Sequence, residues 1–152
     1  MPTLIVAERP DSADAKTLIS ELEAYLEPLY PQESRHGFSV ERLLQENVAF
    51  FVIRHNGLAA GCGGVKLFSG EYGEVKRMYV RPQFRGLGLA RQMLDHLADY
   101  ARRQGVGVLR LETGIYQNEA IGLYERMGFQ RIPPFGAYQD DPLSLFFEKQ
   151  IT

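Results

Sequence analysis

Between Val75 and Ala90 the chain reads Val-Lys-Arg-Met-Tyr-Val-Arg-Pro-Gln-Phe-Arg-Gly-Leu-Gly-Leu-Ala. A run of β-forming residues ends at Val80, the spacing Gln83-x-x-Gly86-x-Gly88 follows, and a helical pattern begins at once. Glycines at a strand-to-helix turn let backbone N–H groups approach a ligand closely, because no Cβ stands in the way. The first turn of the following helix adds unpaired N–H groups and a partial positive charge. Such a turn is an anion site suited to a pyrophosphate. It is not a P-loop, since no Lys-Ser/Thr follows the glycine. Further on, Asn118-Glu-Ala-Ile-Gly-Leu-Tyr124-Glu-Arg-Met-Gly128-Phe129 sets an amide and a phenol on a short helix.

The elements that must position these groups follow from periodicity. Leu4 to Ala7 reads as a short buried strand, and Asp11 or Ser12 caps a helix with apolar residues at Ala15, Leu18, Ile19, Leu22 and Leu26. A break from Pro31 to Gly37 precedes a second, shorter helix over Val40 to Glu46. Val48 to Arg54 and Leu58 to Phe68 form a hairpin across Asn56-Gly57, and Glu74 to Val80 is the next strand. The long helix after the glycine turn carries a stripe of Ala90, Met93, Leu94, Leu97, Ala98 and Ala101, ending at Gln104-Gly105. Val108 to Thr113 is a strand, Asn118 to Met127 a helix, and Phe129 to Ile132 and Leu143 to Lys149 the last strands. The order β-α-α-β-β-β-α-β-α-β-β predicts a mixed α/β sheet.

Composition bounds the function. A chain of 152 residues suits a single domain over 1–152. A net charge of −2 argues against a nucleic-acid surface. The one cysteine, Cys62, excludes an intrachain disulfide, and the three histidines with it show no metal-ligand spacing. The N-terminus has no basic region followed by a long apolar core, and the apolar run from Val48 to Ile53 is too short for a bilayer. The expected setting is cytoplasmic, with no membrane, nucleic-acid or metal partner.

The glycine turn and the Asn118–Phe129 segment together resemble the GNAT superfamily of acyl-CoA-dependent N-acyltransferases. The family's Arg/Gln-x-x-Gly-x-Gly/Ala signature is met by Gln83, Gly86 and Gly88. Its helix with Asn, Ala and Tyr, ending in Gly-Phe or Gly-Tyr, is met by Asn118 to Phe129. The resemblance runs from about Val48 to the chain's end. It implies the GNAT fold, a mostly antiparallel sheet of about seven strands with about four helices. In that fold the strands flanking the long helix splay, and the pantetheine arm lies between them. It also implies acetyl-CoA as co-substrate and an amine acceptor, and it admits a homodimer.

By the same resemblance, backbone N–H groups of Arg85, Gly86, Leu87, Gly88 and Leu89, with Gln83 and Ala90 flanking, face the pyrophosphate. Met78, Tyr79 and Val80 line the pantetheine, with the Met78 and Val80 backbones pairing to its amides and the Met78 N–H directed at the thioester oxygen. Asn118 contacts CoA, or caps its helix. Transfer to an amine needs the amine neutral, and an unperturbed ammonium with pKa near ~10.4 is almost wholly protonated at neutral pH. Glu74 is the first expectation for the base and Glu112 the second; either is otherwise a surface ion pair with Lys76 or Arg110. Strict alternation sets Glu74, Lys76, Met78 and Val80 on one face and separates Leu109, Leu111 and Thr113 from Arg110 and Glu112. Tyr124 is expected to protonate the leaving thiolate; otherwise it is a packed helix tyrosine.

Less is legible about the acceptor. Arg35 and His36 lie where similar proteins cover the acceptor and are candidates for a carboxylate. The loop Pro133–Pro142 either lines the acceptor pocket, with Tyr138, Asp140 and Asp141 facing an ammonium, or is a rigid surface loop. His96, among polar neighbours on the long helix, is expected in solvent. The reading is acetyl transfer from acetyl-CoA to a primary amine of a small molecule or amino acid. The alternatives are a protein lysine or N-terminal acetyltransferase and a non-catalytic CoA-binding module.

Overall fold

A computed structural model describes residues 2–152. The strands are β1 (Thr3–Ala7), β2 (Ala49–His55), β3 (Leu58–Phe68), β4 (Tyr72–Val80), β5 (Val108–Gly114), β6 (Gln130–Ile132) and β7 (Ser144–Gln150). The helices are α1 (Ala13–Leu26), α2 (Val40–Gln45), α3 (Leu89–Arg103) and α4 (Asn118–Arg126). The strands form one mixed, mostly antiparallel sheet in the order β1-β2-β3-β4-β5-β7-β6. Element order and types agree with the periodicity; two short 3-10 turns, Gln32–Ser34 and Pro82–Phe84, carry no sequence pattern of their own.

Local chemistry explains the boundaries. Ser12 caps α1 by accepting the Ala15 N–H at 3.1 Å, and Ser39 caps α2 by accepting the Arg42 N–H at 3.1 Å. Asn56 and Gly57 both have positive φ, as a tight hairpin between twisted strands requires. On one side of the sheet α3 buries Leu89, Met93, Leu94, Leu97, Ala98 and Ala101 against Phe51, Ile53, Val65, Val75, Leu109 and Leu111. Each fully buried leucine there contributes about 2 kcal/mol through apolar area removed from water. On the other side α1 and α2 cover Phe50, Val52 and Cys62 with Ala15, Leu18, Ile19 and Leu43. His96 is half-buried with its ring edge-on to Phe51 at 4.6 Å, so the expectation that it stands in solvent is corrected.

Two departures from regularity make the site. The parallel pair β4–β5 is registered only at Gly73–Leu109 and Glu74–Arg110. Beyond Glu74 the strands part, which leaves the β5-facing backbone of β4 unpaired and opens a cleft. Second, the β3–β4 register shifts between Cys62 and Gly64, where β4 carries one extra residue. At this bulge Arg77 takes φ 55°, a left-handed conformation that costs a non-glycine residue roughly 1–3 kcal/mol. The Arg77 guanidinium offsets that cost: Nε donates to the Phe38 carbonyl at 2.8 Å and Nη2 pairs with Glu23. The bulge also overturns strict alternation along β4. Glu74 and Lys76 face the α1/α2 side, whereas Met78 and Val80 pack with the α3 cluster.

Candidate active site

The splayed strands bound a groove of about 730 Å³ that holds the glycine turn at one end. Its wall includes Met78, Tyr79 and Val80 from β4; Arg85, Gly86, Gly88, Leu89 and Ala90 from the turn; and Asn118 from α4. Gln83 and Leu87 belong to the same turn with exposed side chains but do not line the groove. Gly88 is the N-cap of α3 at φ 75°, and no side chain caps that end. No acidic residue occupies the helix's first turn. The residues of this turn line the groove, at the positive end of the helix dipole. Asn118 is the first helical residue of α4, and Gln117 stands at the N-cap. The capping alternative for Asn118 is therefore corrected; its exposed side chain borders the groove instead.

A second cavity, of about 90 Å³, adjoins the groove on the α1 side. Leu22, Met78, Gln117 and Tyr124 line both spaces and so mark their junction. The cavity wall brings together Glu74, Lys76, Glu112, Arg35, His36 and Tyr138. In the sequence these six lie on two strands and two loops. Tyr30 also lines the cavity, and no motif marked it; its hydroxyl accepts the Tyr116 N–H at 2.9 Å. A Cβ on Gly114 would lie 2.0 Å from that hydroxyl, so only glycine lets the tyrosine close the wall.

Glu74 and Lys76 are both buried and form an ion pair at 2.9 Å. The Tyr138 hydroxyl donates to the same Glu74 oxygen and accepts from Lys76 Nζ at 3.1 Å. Burial lowers the Lys76 pKa, and Glu74 works against that shift. Tyr138 is pushed up by burial and by Glu74. Glu112 is held differently. Its Oε2 accepts the Ser144 hydroxyl at 2.8 Å, and burial raises its pKa to about 7. Ser144 and Lys76 pull in the opposite direction more weakly. Tyr124 is buried in contact with the Phe129 and Phe147 rings, and no hydrogen bond holds its hydroxyl among the described residues. Burial and then the charge of Glu112 raise its pKa, so the phenol stays protonated across the working range.

The loop residues divide. His36 lies edge-on to Tyr138 at 5.3 Å, 3.9 Å from an Asp141 oxygen, and burial lowers its pKa. Asp141 also accepts the Leu143 N–H at 2.8 Å, so it ties the two loops together instead of facing into the cavity, and Asp140 is exposed. Among the described residues no cluster of metal-ligating side chains occurs, and no helix is long and apolar enough to cross a membrane.

Comparison with known proteins bears on the family and the fold. The model of the acetyltransferase (GNAT) family matches residues 15–129. An IAA acetyltransferase from Azospirillum brasilense is 44% identical over 99% of this chain and 100% of its own length. The uncharacterized N-acetyltransferase YsnE from Bacillus subtilis is 33% identical over 89% of this chain and 91% of its own. Among solved structures, a Klebsiella pneumoniae protein assigned as an acyl-CoA N-acyltransferase superposes with a TM-score of 0.84 at 38% identity, covering 99% of this chain and 98% of that one. The PaiA N-acetyltransferase from Thermoplasma acidophilum, solved in complex with coenzyme A, shares the fold at TM-score 0.75 and 19% identity, over 99% of each chain.

Proposed function

The chain belongs to the GNAT family of acetyltransferases and is an N-acetyltransferase drawing on acetyl-CoA; from that premise we propose that it acetylates the primary amine of a small molecule by direct attack, with Glu112 as base and Tyr124 as acid. The observation that carries this reading is the junction. Tyr124 and Met78 line both the groove and the cavity, so a thioester reaching that point meets an acceptor entering from the other side.

In the groove, the glycine turn and the first turn of α3 would hold the pyrophosphate. The unpaired edge of β4 would take the pantetheine amides as an added strand would. The Met78 N–H would lie on that edge, where it would donate to the thioester oxygen as negative charge builds there. In the cavity, a carboxylate must accept the ammonium proton. A base works best when its pKa lies near the working pH. Glu112, at about 7, meets that condition. Glu74 is engaged by Lys76 and Tyr138 on one oxygen, which suits a fixed counter-charge better than a proton acceptor. The geometry therefore favours Glu112 over Glu74, reversing the order the sequence suggested. After the amine attacks the carbonyl carbon, the tetrahedral intermediate collapses and the C–S bond breaks. Tyr124 then gives its proton to the departing sulfur, and the extra proton on the attacking nitrogen passes to the tyrosinate, which leaves a neutral amide and a free thiol.

A cavity of about 90 Å³ is smaller than the roughly 150 Å³ that accommodates a benzene. That favours a small acceptor over a lysine carried on a folded protein. The test is a screen of primary amines, amino acids and lysine or N-terminal peptides with acetyl-CoA, read by released thiol. Turnover with small amines supports the reading, and turnover confined to peptides would overturn its acceptor class.

A further inference from the structure

The wall of the acceptor cavity carries more fixed cationic groups than a plain amine needs. Lys76 has a partner in Glu74, and Arg77 is held through Nε by the Phe38 carbonyl and through Nη2 by Glu23. Arg35 is not matched in this way. Among the described residues its Nε is buried without a hydrogen-bond partner, and its Nη1 stands 3.5 Å from Glu23, whose other oxygen already serves Arg77. One carboxylate is thus shared by two guanidiniums. Arg35 comes from the segment after the Gln32–Ser34 turn, and it lines the cavity together with His36 and Lys76.

A buried donor of a charged group with no acceptor is costly, because desolvation is not returned. The guanidinium fork presents donors in the geometry that a carboxylate accepts in pairs. Resting on the acetyl-transfer reading of this site, we propose that the acceptor is a small amine that also bears a carboxylate, and that Arg35 binds that carboxylate. The amine end then lies toward Glu112 and the thioester junction, and the acid end toward Arg35. A substrate with both groups also matches the wall's charge, since its acid supplies the anion that Glu23 provides only by half. Arg35 is thereby a specificity-determining residue: it selects among amines without taking part in proton transfer.

The experiment compares matched acceptors with acetyl-CoA: L-amino acids against their own carboxamides, read as kcat/KM by released thiol. The acid of the preferred pair is expected to exceed its amide by about 10- to 100-fold, the range of a charge-assisted hydrogen bond. In Arg35→Gln that ratio falls toward one while acetyl-CoA affinity, measured by calorimetry, checks the fold. Amides as good as acids in the wild-type protein would overturn the proposal and leave acetyl transfer standing, as would a preference that survives Arg35→Gln. If no amine of any kind is turned over, the acetyl-transfer reading fails by itself. Calorimetry on the CoA-loaded wild-type protein then decides this inference separately. N-acetyl-amino acids are expected to bind and their amides not, and equal or absent binding of the two would overturn it.

Discussion

Replacing Glu112 by glutamine separates what this residue does for stability from what it does for chemistry. Burial raises its pKa from the ordinary 4.5 to about 7. At about 1.36 kcal/mol per tenfold change in proton affinity, the ionised form is disfavoured in the folded protein by about 3 kcal/mol. The sign follows from proton counting. Between 4.5 and about 7 the folded chain holds a proton that the unfolded chain has lost, so stability falls as pH rises across that window. The contribution is complete below 4.5 and gone above about 7. Glutamine mimics the protonated acid at every pH. Its carbonyl can still accept from Ser144, which bonds Glu112 at 2.8 Å, while its new N–H₂ costs about 1 kcal/mol if left unpaired. Glu112→Gln is therefore expected to be slightly less stable than wild type near pH 4 and more stable by about 2 kcal/mol near pH 8. Urea denaturation of both proteins from pH 4 to 8 measures this difference. A difference that does not vary with pH would refute the burial argument. The same variant should lose about 10²- to 10⁴-fold in kcat/KM and the rise of the wild-type profile through pH 7. A protein that gains stability as it loses activity fits a site kept strained for function.

Other perturbations probe the remaining parts. Gly88→Asp places a side chain and a negative charge at a φ of 75° where phosphate is to sit, so CoA affinity by calorimetry should fall below detection in a folded variant. Tyr124→Phe removes a hydroxyl with no hydrogen bond among the described residues. Its stability should change by less than about 1 kcal/mol, whereas kcat falls about 10²-fold with acetyl-CoA affinity unmoved. A kcat within twofold of wild type, with chemistry limiting, would return Tyr124 to a packing role. Lys76→Met strands the buried Glu74 carboxylate and should cost about 3–5 kcal/mol, while the double variant Glu74→Gln/Lys76→Met should recover most of that loss. Equal loss in the single and double variants would show that the pair is not what Lys76 supports.

The elements were legible because their signals are local. The stripe on α3, the Ser12 cap and the Asn56-Gly57 turn each depend on a few neighbouring residues, and each appears where its pattern lies. The glycine turn and the Asn118 segment were legible for the same reason, and both border the groove. What stayed hidden depends on contacts between distant segments. The bulge at Arg77 leaves no mark in β4 itself, because a left-handed arginine is held there by Phe38 and Glu23 from elsewhere in the chain. Without the bulge, strict alternation put Met78 on the face of Glu74. The order of the two glutamates was hidden likewise. Glu74 and Glu112 look alike as strand carboxylates, and only the approach of Lys76 and Tyr138 to one and Ser144 to the other distinguishes them.

The central claim is that an amine in the small cavity attacks acetyl-CoA directly at the Tyr124 junction. A single-turnover experiment tests it: enzyme in excess over acetyl-CoA is mixed with an acceptor from the screen, quenched over time, and both the acceptor and the intact protein are weighed by mass spectrometry. The account predicts N-acetylated acceptor appearing in step with free CoA, dependent on the amine, with the protein's own mass unchanged throughout. An acetylated protein that forms before the product, or CoA release at the same rate without any amine, would contradict it.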